Sequence, residues 1–280
     1  MRRAFFIIFS ILTAFAQAQE VVYTAEDSVF ITRIAEKQAT RAHTSPGELA
    51  LAVAQEFVGQ KYVAGTLDTH SGEPLFLSAT QLDCTTFVEL VLAISLSIKE
   101  GKNSFEAVCH NLQKIRYRDG VRRGYTSRLH YISWWIENSK KLNIATEIKS
   151  KLHRRAKLNL HYMSSHPANY NQLKNNPALT QAIDSLEKPF RGKNIYYIPK
   201  EMLGKTKEEL CIENGDIIAI TTNIDGLDVV HIGFAFWEGE KLHLLHASSS
   251  EGRVIKDKKD LYSYQKGKKS HTGVRVFRIK

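Results

Sequence analysis

The chain has 280 residues, a formal net charge of +10 and 43% hydrophobic residues, with 16 glycines and 6 prolines. That composition excludes a disordered, collagen-like or low-complexity chain and fits one large globular domain or two small ones. The basic balance favours anionic partners, no nucleic-acid motif accompanies it, and three cysteines are too few for a disulfide scaffold.

Arg2 and Arg3 precede an apolar run, Ala4 to Ala16, that ends in Ala16-Gln17-Ala18. This is the layout of a secretory signal over residues 1–18, so export to a periplasmic or cell-envelope location is expected. The run is shorter than the roughly 20 apolar residues of a membrane span, and no stable membrane insertion is expected after cleavage. Loss of Arg2 and Arg3 changes the charge from +10 to +8, because residues 1–18 contain no acid. No proline-rich or glycine/serine-rich linker divides residues 19–280, which read as a single domain of unassigned oligomeric state.

Ser45-Pro46-Gly47-Glu48 is a capping box with proline at the first helical position, predicting a helix over Pro46–Val58 that stops at Gly59. A second helix is predicted from Cys84 to Ile98. Its Phe87, Val88, Leu90, Val91, Leu92, Ile94, Leu96 and Ile98 are apolar nearly all round, so it should be buried centrally, with Gly101 as its stop. Asn103-Ser104-Phe105-Glu106 opens a third. Helical patterns follow at Ser127–Asn138 and Pro177–Lys188, then a strand-like Ile195–Pro199. From Gly215 onward, alternating runs and turns at Asp225-Gly226, Glu238-Gly239 and Glu251-Gly252 predict an antiparallel sheet ending at Val274–Ile279. Helices first and sheet last is the α+β class.

Cys84 follows the short polar Asp83 where a helix begins, and a thiolate there is favoured by the helix dipole and by free backbone N–H groups. Taken alone, it reads first as a small buried hydrophobe opening an apolar helix, and the histidines downstream reverse that reading. The runs Asp228–Phe236 and Lys241–Ser248 form a hairpin; with a two-residue Gly239-Glu240 turn, His231 stands diagonal to His246 on one sheet face. His243 falls on the other face. Gly233 and Ala235, pointing the same way as His231, should leave the surface beside it open, while Val230, Ile232, Phe234 and Phe236 point into a core. A cysteine nucleophile needs a base and the base needs an orienting group, roles that Cys84, His231 and His246 can fill. The same three side chains are also a possible zinc set. Of the other thiols, Cys109 and Cys211 are either a disulfide or two buried thiols. The lysine clusters Lys256-Asp257-Lys258-Lys259 and Lys266-Gly267-Lys268-Lys269 read as solvated surface.

In the order of its parts the chain resembles the NlpC-type, papain-like cysteine peptidases that cut bacterial cell-wall peptides. Gly59-Gln60-Lys61-Tyr62-Val63-Ala64-Gly65 matches the family's Gly-x-x-Tyr-x-x-Gly loop, Asp83-Cys84 its nucleophile, Gly215-Asp216 and His231-Ile232-Gly233 its base strand, and His246 its orienting residue. Asp83-Cys84-Thr85-Thr86-Phe87, Arg128-Leu129-His130-Tyr131 and Leu244-Leu245-His246-Ala247-Ser248 resemble a narrower branch, the N-acetylmuramoyl-L-alanine amidase-like proteins. The resemblance implies a papain-like NlpC-type core, the nucleophile helix packed on a twisted antiparallel sheet, with an insertion at about 120–210. It implies cleavage between N-acetylmuramic acid, or its anhydro form, and L-alanine by Cys84, His231 and His246, without metal or cofactor, on peptidoglycan fragments. Tyr62 and the Cys84 N–H would hold the oxyanion, and Asp83, Thr85, Arg128, His130 and Tyr131 would lie at the substrate. A γ-D-glutamyl-diamino acid endopeptidase is the alternative within the family, though Thr85-Thr86 replaces the common Ser-Gly, so the helix start should pack differently and the substrate contacts of those enzymes are not carried over. A non-catalytic muropeptide-binding module is the alternative of another class. A lipid acyltransferase of related fold would place its histidine before its cysteine, the reverse of the order here.

Overall fold

A computed structural model describes residues 20–70 and 72–280; the predicted leader, residues 1–18, lies outside the described residues. Helices α1 (Ala25–Gln38) and α2 (Pro46–Gln55) both open on capping boxes, Thr24 with Asp27 and Ser45 with Glu48. α2 stops before the predicted Val58, and turns carry the chain to Gly59. Helix α3 (Cys84–Lys99) is enclosed as its pattern predicts: Phe87, Val88, Leu90, Val91, Leu92, Ile94 and Ile98 are each 2% exposed or less. Gly101, at φ 69°, ends it, and the Lys102 N–H reaches back to the Ser97 carbonyl at 2.9 Å. Glycine tolerates this left-handed turn, which satisfies a carbonyl the helix would otherwise leave open. Helix α4 (Phe105–Arg116) follows, capped by Ser104.

Among the described residues ten strands form the main sheet: β1 (Lys61–Tyr62), β2 (Gln81–Leu82), β3 (Ala145–Glu147), β4 (Arg154–Lys157), β5 (Asn194–Pro199), β6 (Ile217–Thr222), β7 (Val229–Glu238), β8 (Lys241–Ser248), β9 (Arg253–Asp260) and β10 (His271–Ile279). Their spatial order is β2, β1, β9, β8, β7, β6, β10, β5, β4, with β3 also paired to β10. β6 to β10 pair antiparallel, and β1 with β2 parallel at one edge. The α+β class stands. On one side of the sheet Ile217, Ile232, Phe234, Leu245 and Phe277 join α2 and α3 in one apolar cluster; on the other Ile218, Ile220, Leu244, Val274 and Val276 pack with Leu203, Leu210 and Leu261. Phe87 of α3 meets Phe57 and Phe234 edge-on at 6.0 and 5.7 Å between ring centroids, which fixes α3 against β7.

The middle of the chain differs from expectation. Helix α5 covers Ile132–Lys141, so Arg128 to Tyr131 are not helical. Tyr117 bridges Arg128, and the Leu129 N–H donates to the Arg116 carbonyl at 2.9 Å, so pairing with distant residues overrides the local helical pattern. A helix at Pro177–Glu187 tightens into a 3-10 turn at Lys188–Phe190. The inserted segment contributes β3, β4 and β5 to the sheet. Cys109 and Cys211 are unpaired, Cys109 buried and Cys211 exposed, so neither the predicted disulfide nor a pair of buried thiols is present.

Candidate active site

Asp83 caps α3 with its carboxylate, which accepts from the Thr85 and Thr86 N–H groups at 3.0 and 2.8 Å, while the Thr86 hydroxyl accepts from the Asp83 N–H at 2.9 Å. Those bonds fix the first turn and leave the Cys84 N–H as the first-turn donor not engaged by Asp83. Cys84 is half-buried at a cavity of about 110 Å³ that Thr85, His130, His231 and Ile232 also line. The expected lowering of its pKa does not occur. Burial, then the Asp83 charge, pushes the thiol up to about 11, against the N–H of Ile232 and the Thr85 hydroxyl, which pull it down. Burial and the neighbouring His246 hold His231 well below the ordinary imidazole range. The free site therefore carries a neutral thiol and a neutral imidazole.

The hairpin parity is as predicted, with Glu238 opposite Lys241 around Gly239-Glu240 and Phe234 opposite Leu245. His231 Nε2 lies 2.6 Å from His246 Nδ1, and His246 is fully buried. Gly233 does not leave open surface: a Cβ there would sit 2.8 Å from both His246 Cβ and the Leu245 carbonyl, so its role is to let the two strands close around His246. Val230 also departs from expectation. The β6–β7 register slips between Ile220 opposite His231 and Thr221 opposite Val229, and Val230 packs on the other face from Ile232 and Phe234. Such a bulge re-aims the neighbouring side chain, here that of His231.

A further partner was hidden in a charge run read as solvated. Asp257 of β9 turns inward, its side chain 14% exposed, and its Oδ2 lies 3.4 Å from His246 Nε2. Burial raises its pKa, but hydrogen bonds from His246 and the Lys259 N–H outweigh that and hold the carboxyl below its usual range. Tyr264, on a short helix at Leu261–Lys266, places its ring 5.6 Å from His246 and 6.5 Å from His231. No spacing rule links Asp257 or Tyr264 to the histidines. Both His246 ring nitrogens are occupied by His231 and Asp257, which leaves none for a zinc ion in the alternative set. Among the described residues no group of three or more His, Cys, Asp or Glu side chains is arranged to hold a metal.

Of the predicted substrate residues, Thr85 and His130 line the cavity. The Tyr62 phenol, pushed up to about 12 by burial and then by the Cys84 and Asp83 charges, stays a hydrogen-bond donor. Arg128 and Tyr131 are corrections. Arg128 is buried between Asp68 and Glu73, 2.6 and 3.2 Å away, and lies over the Tyr125 ring; Tyr131 donates to Glu187 at 2.7 Å and accepts from the Met163 N–H at 2.8 Å. Both brace the inserted segment and neither lines the cavity. Ser164 is likewise bonded to Glu187, and His166 to the Tyr162 carbonyl. Gly215-Asp216 proves structural: Gly215, at φ 81°, packs so closely on Gly47 that a Cβ would overlap its carbonyl, and Asp216 binds Arg278 at 2.8 Å.

The sequence profile of the N-acetylmuramoyl-L-alanine amidase-like family matches residues 52–274. A crystal structure of an N-acetylmuramoyl-L-alanine amidase from Bacteroides uniformis is 42% identical, superposes with a TM-score of 0.79, and is matched over 84% of this chain and 99% of its own. One from Bacteroides fragilis, provisionally described as a xylanase, is 43% identical with a TM-score of 0.75 over 80% of this chain and 98% of its own. A Legionella pneumophila protein, 22% identical over 89% of this chain and 94% of its own, shares the fold at a TM-score of 0.66. Among curated proteins none matches. By its profile match and by these relatives, the chain belongs to the N-acetylmuramoyl-L-alanine amidase-like family.

Proposed function

We propose that the protein is an exported thiol hydrolase that cleaves the amide between N-acetylmuramic acid, or its anhydro form, and L-alanine in peptidoglycan fragments of the periplasm or cell envelope. The observation that carries this reading is the row His231, His246, Asp257, ending at the cavity that holds Cys84. The row assigns tautomers. The Asp257 carboxylate only accepts, so in this reading His246 Nε2 donates to it, His246 Nδ1 accepts from the His231 Nε2–H, and His231 Nδ1 is left as the base.

In this mechanism the Cys84 sulfur attacks the lactyl carbonyl carbon of muramic acid while its proton passes to His231 Nδ1. The Cys84 N–H and the Tyr62 hydroxyl stabilise the oxyanion. The C–N bond breaks as His231 protonates the alanine nitrogen, leaving a thioester. Water, losing a proton to His231, then breaks the C–S bond and the thiol is restored.

The Bacteroides fragilis description suggests glycoside hydrolysis, which needs two carboxyl groups flanking the bond. Glu89 and Asp228 both reach the cavity, but Arg116 holds Glu89 at 2.7 Å and the Ser133 N–H holds Asp228 at 2.7 Å. Each already has a partner within the fold.

Incubation of a disaccharide-tetrapeptide with the mature protein and with Cys84→Ala, read by mass spectrometry, tests the proposal. Free disaccharide and intact tetrapeptide, absent with Cys84→Ala, are expected. L-Ala-γ-D-Glu left on the sugar would establish the endopeptidase instead, and binding without cleavage would establish a binding module.

A further inference from the structure

A second, larger cavity of about 490 Å³ is lined among others by Arg118, Arg123, Thr126, Ser127 and Leu186. The two are linked through aromatic rings: Arg118 lies over Trp134, 5.2 Å from its centroid, and Trp134 stands 6.3 Å from His130, which lines the Cys84 cavity. Arg118 Nε and Nη2 are buried and have no acceptor among the described residues. Those nitrogens carry the parallel N–H pair of a guanidinium, the edge that matches the two oxygens of a carboxylate. A buried donor without an acceptor is costly, and a bound carboxylate would remove that cost. The one carboxylate lining the cavity, Asp119, is already held by Lys141 at 2.6 Å, so the cations Arg118 and Arg123 remain in excess there.

We propose that this cavity binds a carboxylate of the acidic peptide stem, with the Arg118 side chain turning its unpartnered Nε–Nη2 edge toward it and Arg123 adding charge. The assignment rests on a peptidoglycan substrate, as above, and does not depend on which bond is cut. It gives residues at the start of the inserted segment and just before it, which the catalytic steps do not use, a role in holding the peptide stem.

The test measures binding without turnover. Cys84→Ala protein is titrated calorimetrically with L-Ala-γ-D-Glu-diaminopimelate and with the same tripeptide bearing amidated carboxyls. Adding Arg118→Met, which keeps an unbranched side chain against Trp134, should weaken the acidic tripeptide roughly 10- to 100-fold, the range for hydrogen bonds to a charged group, and leave the amidated one unchanged. Arg118→Lys should recover part of the loss, and Arg123→Gln, which leaves the Trp134 contact intact, should show a smaller loss of the same kind. Equal affinity of the acidic tripeptide for Cys84→Ala with and without Arg118→Met overturns the proposal, as does a failure of Cys84→Ala to prefer the acidic form. Because cleavage is not read, failure of the amidase reading and failure of this site give separate results.

Discussion

A thiol at the first position of a helix is acidified by unbonded N–H groups, but Asp83 takes two of those groups at Cys84 and adds a negative charge of its own. With burial added, the thiol is held up to about 11. Alkylation of the free protein by iodoacetamide should therefore accelerate steadily as pH rises from 6 to 10; a plateau beginning near pH 5 would instead reveal a preformed thiolate–imidazolium pair. His231, held well below its ordinary value, should stay a competent base under acid conditions, so the acid limb of kcat/KM is expected below pH 6. In the proposed mechanism Asp257 is a positioning residue. Asp257→Ala removes the acceptor that places the hydrogen on His246 Nε2, and kcat should fall on the order of 10- to 100-fold, part of the 100- to 10,000-fold that a placed base supplies. Nitrogen-15 NMR of the histidines checks the cause: the His231 Nε2–H tautomer should dominate in the parent and lose its majority in Asp257→Ala. An unchanged tautomer with reduced activity would assign Asp257 a purely structural part.

Between residue and whole fold, the decisive joint is α3 against β7. Phe87 and Phe234 are fully buried and Phe87 spans to Phe57, so the helix that carries Cys84 and the strand that carries His231 share one aromatic contact chain. Phe87→Ala should cost about 3–5 kcal/mol by urea unfolding, the range for emptying a phenylalanine site in a core, and residual folded protein should lose activity as the joint loosens. A cost below 1 kcal/mol would mean that α3 is held elsewhere. This joint was legible in the sequence because α3 has a polar cap, an apolar run and a glycine stop, and because hairpin parity alone brings His231 to His246. Arg128 to Tyr131 were not legible. Their helical pattern is local, whereas Arg128 answers to Asp68, 60 residues away, and Tyr131 to Glu187, 56 residues on. Asp257 was concealed for a related reason: it stands among lysines, and the β8–β9 register slips between His243 and Leu245, so counting along the strand cannot place it beside His246.

Across the whole molecule, the excess of cations, +10 overall and +8 without Arg2 and Arg3, acts at a distance that no single contact does. A field of that sign raises the encounter rate with an acidic peptide stem, and its reach shrinks with salt, to about 10 Å at 0.1 M ionic strength. The proposed chemical step lies at a small, mostly apolar cavity and exchanges a proton between neutral groups, so salt should have little hold on it. Raising sodium chloride from about 20 to about 300 mM should therefore lower kcat/KM on an acidic muropeptide several-fold through KM, with kcat nearly constant. The same muropeptide with amidated stem carboxyls should respond much less. The contrast separates two uses of the positive charge: Arg118→Met should remove the short-range preference for the acidic stem yet keep most of the salt dependence, because it deletes one cation of an excess spread over the chain. If salt dependence disappears along with Arg118, the attraction is local to that cavity and the remaining lysines and arginines serve other ends.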